Sequence, residues 1–209
     1  RFAGVPFAEA PHRFDFSYEH IINSAEGSLK RLHTDYLDVL LLHRPDPLVE
    51  PEEVARAFDE LHTSGKVRYF GVSNHNAAQL ALLQAYVRQP LLFNQLEINP
   101  INNHLFNEGV ITNQTQPPQV VRGDGTIEYC RLHNIKPQAW SPLVNGRLSG
   151  GAQGDLSQAE AQAAAVVAEL AAEHNTSLEA VLIAWLLRHP AHIQPIIGTV
   201  NPGRILAAC

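Results

Sequence analysis

The sequence predicts an α/β fold with parallel strands, and three observations predict it. Helix-like and strand-like runs alternate from about residue 18 to the end, no hairpin signal joins two strand-like runs, and every such run ends in polar or glycine residues. Alternation of this kind implies parallel strands joined by right-handed helical crossovers. An open doubly wound sheet and part of a (β/α)8 barrel both satisfy it, and the pattern alone leaves that choice open.

Residues 1 to 16 are rich in Phe, Pro and Ala without periodicity and read as a loop, with Asp15 or Ser17 able to cap the first helix. From Tyr18 to His33 the apolar residues Ile21, Ile22, Ala25, Leu29 and Leu32 recur at helical spacing, leaving Glu26, Lys30 and Arg31 in water. Asp38–His43 is an apolar run that meets a histidine. Pro45 then forbids a central strand, so the run reads as a buried strand ending in a turn. Pro51 suits a first helical position and Glu52 and Glu53 suit the positive end of the dipole, so a helix runs to about Thr63, closed by Gly65.

Val67–Val72 is the next strand. Asn76 and Gln79 form a capping box for a helix from Ala77 to Val87, and Leu91–Ile98 is a third strand with Asn94, Gln95 and Glu97 inside an apolar run. Buried, those three need partners. Asn102–Gly125, broken by Pro117-Pro118, reads as an irregular excursion with a loop insertion over 113–125. Helix resumes over Thr126–His133 and Lys136–Trp140 is a fourth strand. Two capping boxes, Ser157 with Glu160 and Thr176 with Glu179, start helices that end near His174 and His189. Gln194–Ile197 is the last strand and a closing helix begins beyond Arg204.

Composition excludes several classes of function. Hydrophobic residues make up 45% and charged residues 17% of the 209, ordinary for one packed domain and unlike a disordered chain. A net charge of -6 gives no reason to bind nucleic acid or an anionic membrane. No apolar run reaches the roughly 20 residues that span a bilayer, and no signal-peptide pattern stands at the start. Cys130 and Cys209 are too few for a disulfide framework, which suits a reducing compartment; the expected location is the cytoplasm. Eleven histidines show no ligand spacing supported by Cys or carboxylates, so no metal is expected. The chain as written begins at Arg1 and has no methionine, which reads as a piece of something longer.

The strand ends carry the chemistry. They deliver His43, Ser73-Asn74, Gln95 with Glu97, Trp140-Ser141 and Gly198-Thr199 in phase, at the side of a parallel α/β sheet where functional groups collect. For His43 alone, a core histidine bonded to a backbone carbonyl would be an equal reading. Asn74 and Gln95 can donate to and accept from a carboxamide, Trp140 can stack on a flat heterocycle, and Asn145-Gly146-Arg147 can let backbone amides and one cation approach a pyrophosphate.

Leu42-His43-Arg44-Pro45-Asp46, Gly71-Val72-Ser73-Asn74, Asn94-Gln95-Leu96-Glu97, Ala139-Trp140-Ser141-Pro142-Leu143 and Ile197-Gly198-Thr199 through Arg204 resemble, in order and spacing, the aldo-keto reductases of the bacterial YdhF-like branch. The resemblance covers nearly the whole chain. It implies a TIM (β/α)8 barrel in which these are strands four to eight and the first three are missing, an N-terminally truncated chain. By the same resemblance His43 is the active-site histidine that orients and polarises a substrate carbonyl. Ser73, Asn74 and Gln95 would hold the nicotinamide carboxamide, and Trp140 would stack on the ring. Ser141, Leu143, Asn145, Gly146 and Arg147 would bind the pyrophosphate, while Thr199 and Arg204 would meet the adenosine 2′-phosphate. The implied reaction is NADPH-dependent reduction of a small aldehyde or ketone.

Two departures from the family pattern stand out. Gly198 replaces a basic residue and Ala207-Ala208 replace a polar adenine contact, so selectivity for the 2′-phosphate rests mainly on Arg204. The family's catalytic Tyr, Lys and Asp belong to the first three strands, and no tyrosine here matches that motif. The expectation is therefore a parent enzyme whose 209 residues alone do not turn over an aldehyde. A non-catalytic NADP(H)-binding or regulatory module is the rival from another class. Substrate identity and oligomeric state are not legible.

Overall fold

The computed structural model describes residues 14–111, 125–151 and 154–209. They form two compact units, one taking the described residues up to Asn94 together with Leu132–Ile135, the other taking Gln95–Arg131 and the residues from Lys136 onward.

In the first unit, α1 (Tyr18–Leu32) starts at Ser17, whose hydroxyl accepts from the His20 amide at 3.4 Å, while Asp15 accepts from the Ser17 amide at 2.9 Å. Of the two expected candidates Ser17 is therefore the cap, and Asp15 holds the cap residue in place. Ile21, Ala25 and Leu29 form its buried face. Strand β1 (Leu37–Leu42) pairs in parallel with β2 (Val67–Ser73), from Leu37 opposite Val67 to Leu42 opposite Val72. The expectation of a buried strand is corrected at its start, because Asp38 and Val39 are exposed and only Leu42 is buried. Among the described residues β1 has β2 on one side and ends the strand order, so its opening residues lack cover.

Helix α2 (Pro51–Thr63) has its proline in the first turn with Glu52 and Glu53 behind it. Its Phe58 stacks on Phe70 of β2 with ring centroids 4.0 Å apart, both rings fully buried. Gly65, at φ 74°, turns the chain into β2 in the left-handed conformation a side chain would strain. Helix α3 (Ala77–Tyr86) opens with the expected capping box, Asn76 and Gln79 exchanging two bonds of 2.9 Å. Strand β3 (Leu91–Glu97) comes next, and the boundary between the units falls within it.

Strand order follows chain order, β1-β2-β3 in the first unit and β3-β4-β5 in the second. In the second unit β4 (Lys136–Trp140) pairs in parallel with β5 (Gln194–Pro195), Gln138 opposite Gln194. Leu96, Ile98, Leu105, Ile127, Ala139, Leu186, Ala191 and Ile193 make its core. Leu148, Val167 of α6 (Gln158–Glu173) and Leu182 of α7 (Leu178–Leu187) make a second cluster, and α8 (Pro202–Ala207) closes the chain.

Three expectations change here. Residues 104–111, expected within an irregular excursion, form helix α4 (His104–Ile111) ahead of α5 (Thr126–Leu132), because Leu105 joins the core and Phe106 stacks on His189 at 4.3 Å. Packing overrides the poor helix propensity of an Asn-rich stretch. Of the supposed loop insertion, 113–124 lie outside the described residues, and Gly125 sits at φ 69° just before α5. The cap of α7 is Ser177, which accepts from the Ala180 amide at 3.0 Å, rather than Thr176 with Glu179; the Ser157–Glu160 box stands as expected. The last strand is two residues long. Pro195 has no amide to donate, and beyond it the Ile196 amide bonds the Ala139 carbonyl at 2.8 Å as the pairing ends.

Candidate functional site

Two of the strand exits belong to the first unit. His43, immediately after β1, lines a small cavity of about 110 Å³ with Phe16, His20 and Ser24. The residue is exposed as a whole, yet partial enclosure, with the charge of Arg44 after it, holds its imidazole below the ordinary pKa and so favours the neutral ring. At the end of β2 Ser73 is buried, and Asn74 adopts a left-handed φ of 59° with its amide donating to the Ser73 hydroxyl at 2.9 Å. Asparagine tolerates that conformation better than most residues, so Ser73 and Asn74 are presented as one unit.

The second unit carries the other exits. Gln95 of β3 donates to the Gln138 carbonyl oxygen at 3.1 Å, and Gln138 donates to Gln194 at 2.9 Å, a ladder of amides across β3, β4 and β5. Gln95 is thereby oriented with its own oxygen turned away from Gln138. Sequence reading missed Gln138 and Gln194, although Gln138 stands two residues before the end of Lys136–Trp140 and Gln194 opens the last run. Beyond β4, the Ser141 carbonyl accepts from Asn99 at 3.2 Å. Asn99 is itself buried and accepts from the Ile101 and Asn102 amides at 3.1 and 2.7 Å, which ties the Trp140-Ser141 exit to the loop after β3.

Six of the expected cofactor residues meet in one cavity of about 410 Å³. Ser141, Leu143, Asn145, Gly146, Thr199 and Arg204 line it, joined by Pro142, Ser149, Gly151, Gly198 and Glu179. Ser141, Val144 and Asn145 lie at φ of 50 to 52° and Gly146 at 80°, a run of left-handed residues that coils the loop tightly. The Gly146 and Arg147 amides are used inside that coil, on the Leu143 and Val144 carbonyls at 2.9 and 3.0 Å. The cavity thus offers one guanidinium, one carboxylate and several hydroxyl and amide groups. Glu179 is the residue sequence reading passed over, because its spacing from Thr176 reads as a helix cap.

Arg147 is not on that cavity wall. Its guanidinium makes a two-pronged pair with Glu160 and also donates to the Asp155 carbonyl at 2.9 Å. Glu160 accepts in addition from the Ser157 amide at 2.8 Å, and with the Arg147 bond as the leading cause its pKa falls to about 2. A carboxyl whose folded pKa is depressed stabilises the fold above its ordinary value, about 4.3, and loses that contribution as pH falls toward 2. Glu160→Gln is therefore expected to loosen the Leu143–Ser149 loop, read as faster amide exchange there. The stability gap between variant and parent should close as pH falls from about 4 to 2. A gap that stays constant over that range would contradict the assignment.

Among the described residues no cluster of three His, Cys, Asp or Glu is placed to hold a metal ion, and no helix is long and apolar enough to cross a membrane.

Parallel strands that alternate with helices and end in polar or glycine residues define an α/β protein. The chain belongs to the aldo/keto reductase family, whose model matches residues 5–208. It is 45% identical over 191 residues to the oxidoreductase YdhF of Escherichia coli, covering 91% of this chain and 57% of that protein. It is 40% identical over 203 residues to the uncharacterized oxidoreductase YcsN of Bacillus subtilis, covering 96% and 61%. Among solved structures it resembles a thermostable aldo-keto reductase crystallised with the inhibitor epalrestat, with a TM-score of 0.71 and 26% identity over 92% of this chain and 61% of that one. These neighbours are (β/α)8 barrels, which resolves the choice that strand pattern left open. The chain spans about three fifths of the length of the curated relatives it matches.

Proposed function

We propose that this chain is strands four to eight of an aldo-keto reductase barrel, and that the whole protein uses NADPH to reduce a small aldehyde or ketone to an alcohol. The observation that carries this reading is the 410 Å³ cavity, which gathers six residues nominated independently by motif. When bound, the nicotinamide supplies a hydride. The chain's own residues bind and orient: Ser73, Asn74 and Gln95 take the carboxamide, Trp140 takes the ring face, and Ser141, Leu143, Asn145 and Gly146 take the pyrophosphate. Arg147 acts here by holding the loop through Glu160. His43, kept neutral, donates one hydrogen bond toward the carbonyl oxygen as negative charge grows on it.

The proton that completes an alcohol needs an acid of suitable pKa. Tyr18 does not fit that role, because its hydroxyl donates to Glu60, whose hydrogen bond and charge hold its pKa above the ordinary value. These 209 residues alone are expected to bind cofactor without turnover, and reduction of a test aldehyde by them would overturn that. Binding without turnover by the whole protein would instead favour a non-catalytic NADP(H)-binding module.

Arg204 and Thr199 support NADPH, while Glu179 on the same wall works against a 2′-phosphate and suits a ribose hydroxyl. Arg204→Ala is expected to weaken NADPH binding roughly tenfold, one charge-assisted contact of about 1.5 kcal/mol, with less than about a twofold effect on NADH. Glu179→Gln is expected to tighten NADPH selectively. Fluorescence titration checks both, and equal effects on the two cofactors would remove these residues from the 2′-phosphate site.

A further inference from the structure

Asn94 is fully buried in β3, and both ends of its side chain engage one residue. Its oxygen accepts from the His75 amide at 3.4 Å and its nitrogen donates to the His75 carbonyl at 2.8 Å. A side-chain amide that gives and takes with one residue's backbone copies what a strand neighbour does, so Asn94 extends the hold of β3 on the β2 segment beyond the last strand residue, Ser73. His75 is 3% exposed, and its ring Nδ1 lies 2.9 Å from the Ser73 carbonyl. The imidazole therefore reaches back across Asn74, and Phe16 stacks on its face at 5.9 Å and 6°.

Asn74 is thus fixed from both sides. The residue before it is tied through its carbonyl to the His75 ring, and the residue after it is tied through its backbone to Asn94. Between these ties the left-handed φ of 59° aims the Asn74 amide at the Ser73 hydroxyl, 2.9 Å away. A turn of three residues with an unsupported left-handed centre would sample several directions. Recognition of a planar carboxamide requires donor and acceptor held in one direction.

We propose that Asn94, acting with His75, is a positioning residue that locks the Ser73-Asn74 turn in the conformation that receives the nicotinamide carboxamide. This rests on the proposed role of Ser73 and Asn74 in holding that group. The clamp touches neither cofactor nor substrate. It acts on the nicotinamide end of the cofactor and leaves the adenosine end alone.

The test titrates the full chain, by calorimetry, with NADPH and with 2′-phospho-ADP-ribose, which keeps the adenosine and pyrophosphate but lacks the nicotinamide. Asn94→Ala is expected to weaken NADPH at least tenfold and 2′-phospho-ADP-ribose less than twofold. His75→Phe keeps a ring against Phe16 but loses the Nδ1 bond, and it is expected to show the same selective loss; it carries the test if Asn94→Ala does not fold. Equal losses for both ligands would mean general damage and overturn the positioning role, as would unchanged NADPH binding. Asn74→Gly, which keeps the left-handed backbone, and Ser73→Ala separate the clamp from the contact it supports. If they show the selective loss and Asn94→Ala and His75→Phe do not, the clamp alone is wrong. If they show none, the carboxamide reading falls and the clamp's role falls with it.

Discussion

Gly71→Ala is expected to destabilise the protein by about 3 kcal/mol, at the upper end of what overpacking costs. An added Cβ would stand 2.6 Å from the Phe93 carbonyl oxygen, 2.7 Å from a Leu41 methyl and 3.0 Å from the Phe93 Cβ. One of those neighbours is backbone in the adjoining strand and cannot step aside alone. Leu41 is paired with Gly71 across β1 and β2, so its side chain has little room to retreat. Gly71 lies within Gly71-Val72-Ser73-Asn74, and a shift of β2 there would also displace the Ser73-Asn74 turn. Urea unfolding should show a lower midpoint at unchanged slope. A loss under about 1 kcal/mol would mean that β2 and β3 separate more easily than their packing indicates.

Acidification is expected to cost stability through His75. Burial is the dominant cause that lowers its pKa to about 4, against which its bond to the Ser73 carbonyl works weakly. The folded protein keeps the ring neutral while the unfolded chain protonates near 6.5, so the unfolded state binds more protons between those values. Stability from this group is complete above about pH 6.5 and declines as pH falls to about 4, by on the order of 3 kcal/mol. His75→Phe should flatten that part of the pH profile. A profile with the same slope in parent and variant would assign the acid sensitivity to other groups.

Much of the site is legible in the sequence because its residues occupy strand ends, and strand ends are visible there. The run Val67–Val72 marks β2, and Ser73 and Asn74 stand out as the polar pair that closes it; the short run that becomes β4 marks Trp140-Ser141 in the same way. The residues that escape are those whose importance lies in what they touch. Gln138 and Gln194 are ordinary polar residues until β4 and β5 pair and bring them into line with Gln95. Glu179 has the spacing of a helix cap and instead lines the 410 Å³ cavity, one residue's shift in the cap of α7 being enough to change its meaning. Arg147 has the charge and the place of a cofactor ligand, and the structure shows that charge paired with Glu160. Helix α4 is hidden because Asn-rich residues read as loop, and only the packing of Leu105 and Phe106 makes it a helix.

By itself, then, the amino-acid order determined the alternation of helix and strand, the parallel class, the motif residues at each exit and the family they resemble. Those are consequences of local period, capping and turn chemistry, which act over a few residues and leave their mark in sequence. Only the tertiary structure decided which polar side chains hold others in place. Asn94 and Asn99, two asparagines on the same short stretch, each serve a different neighbouring segment, His75 in one case and Ser141 in the other. Nothing in the spacing reveals that, because the partner of a buried amide is chosen by the fold that removes it from water.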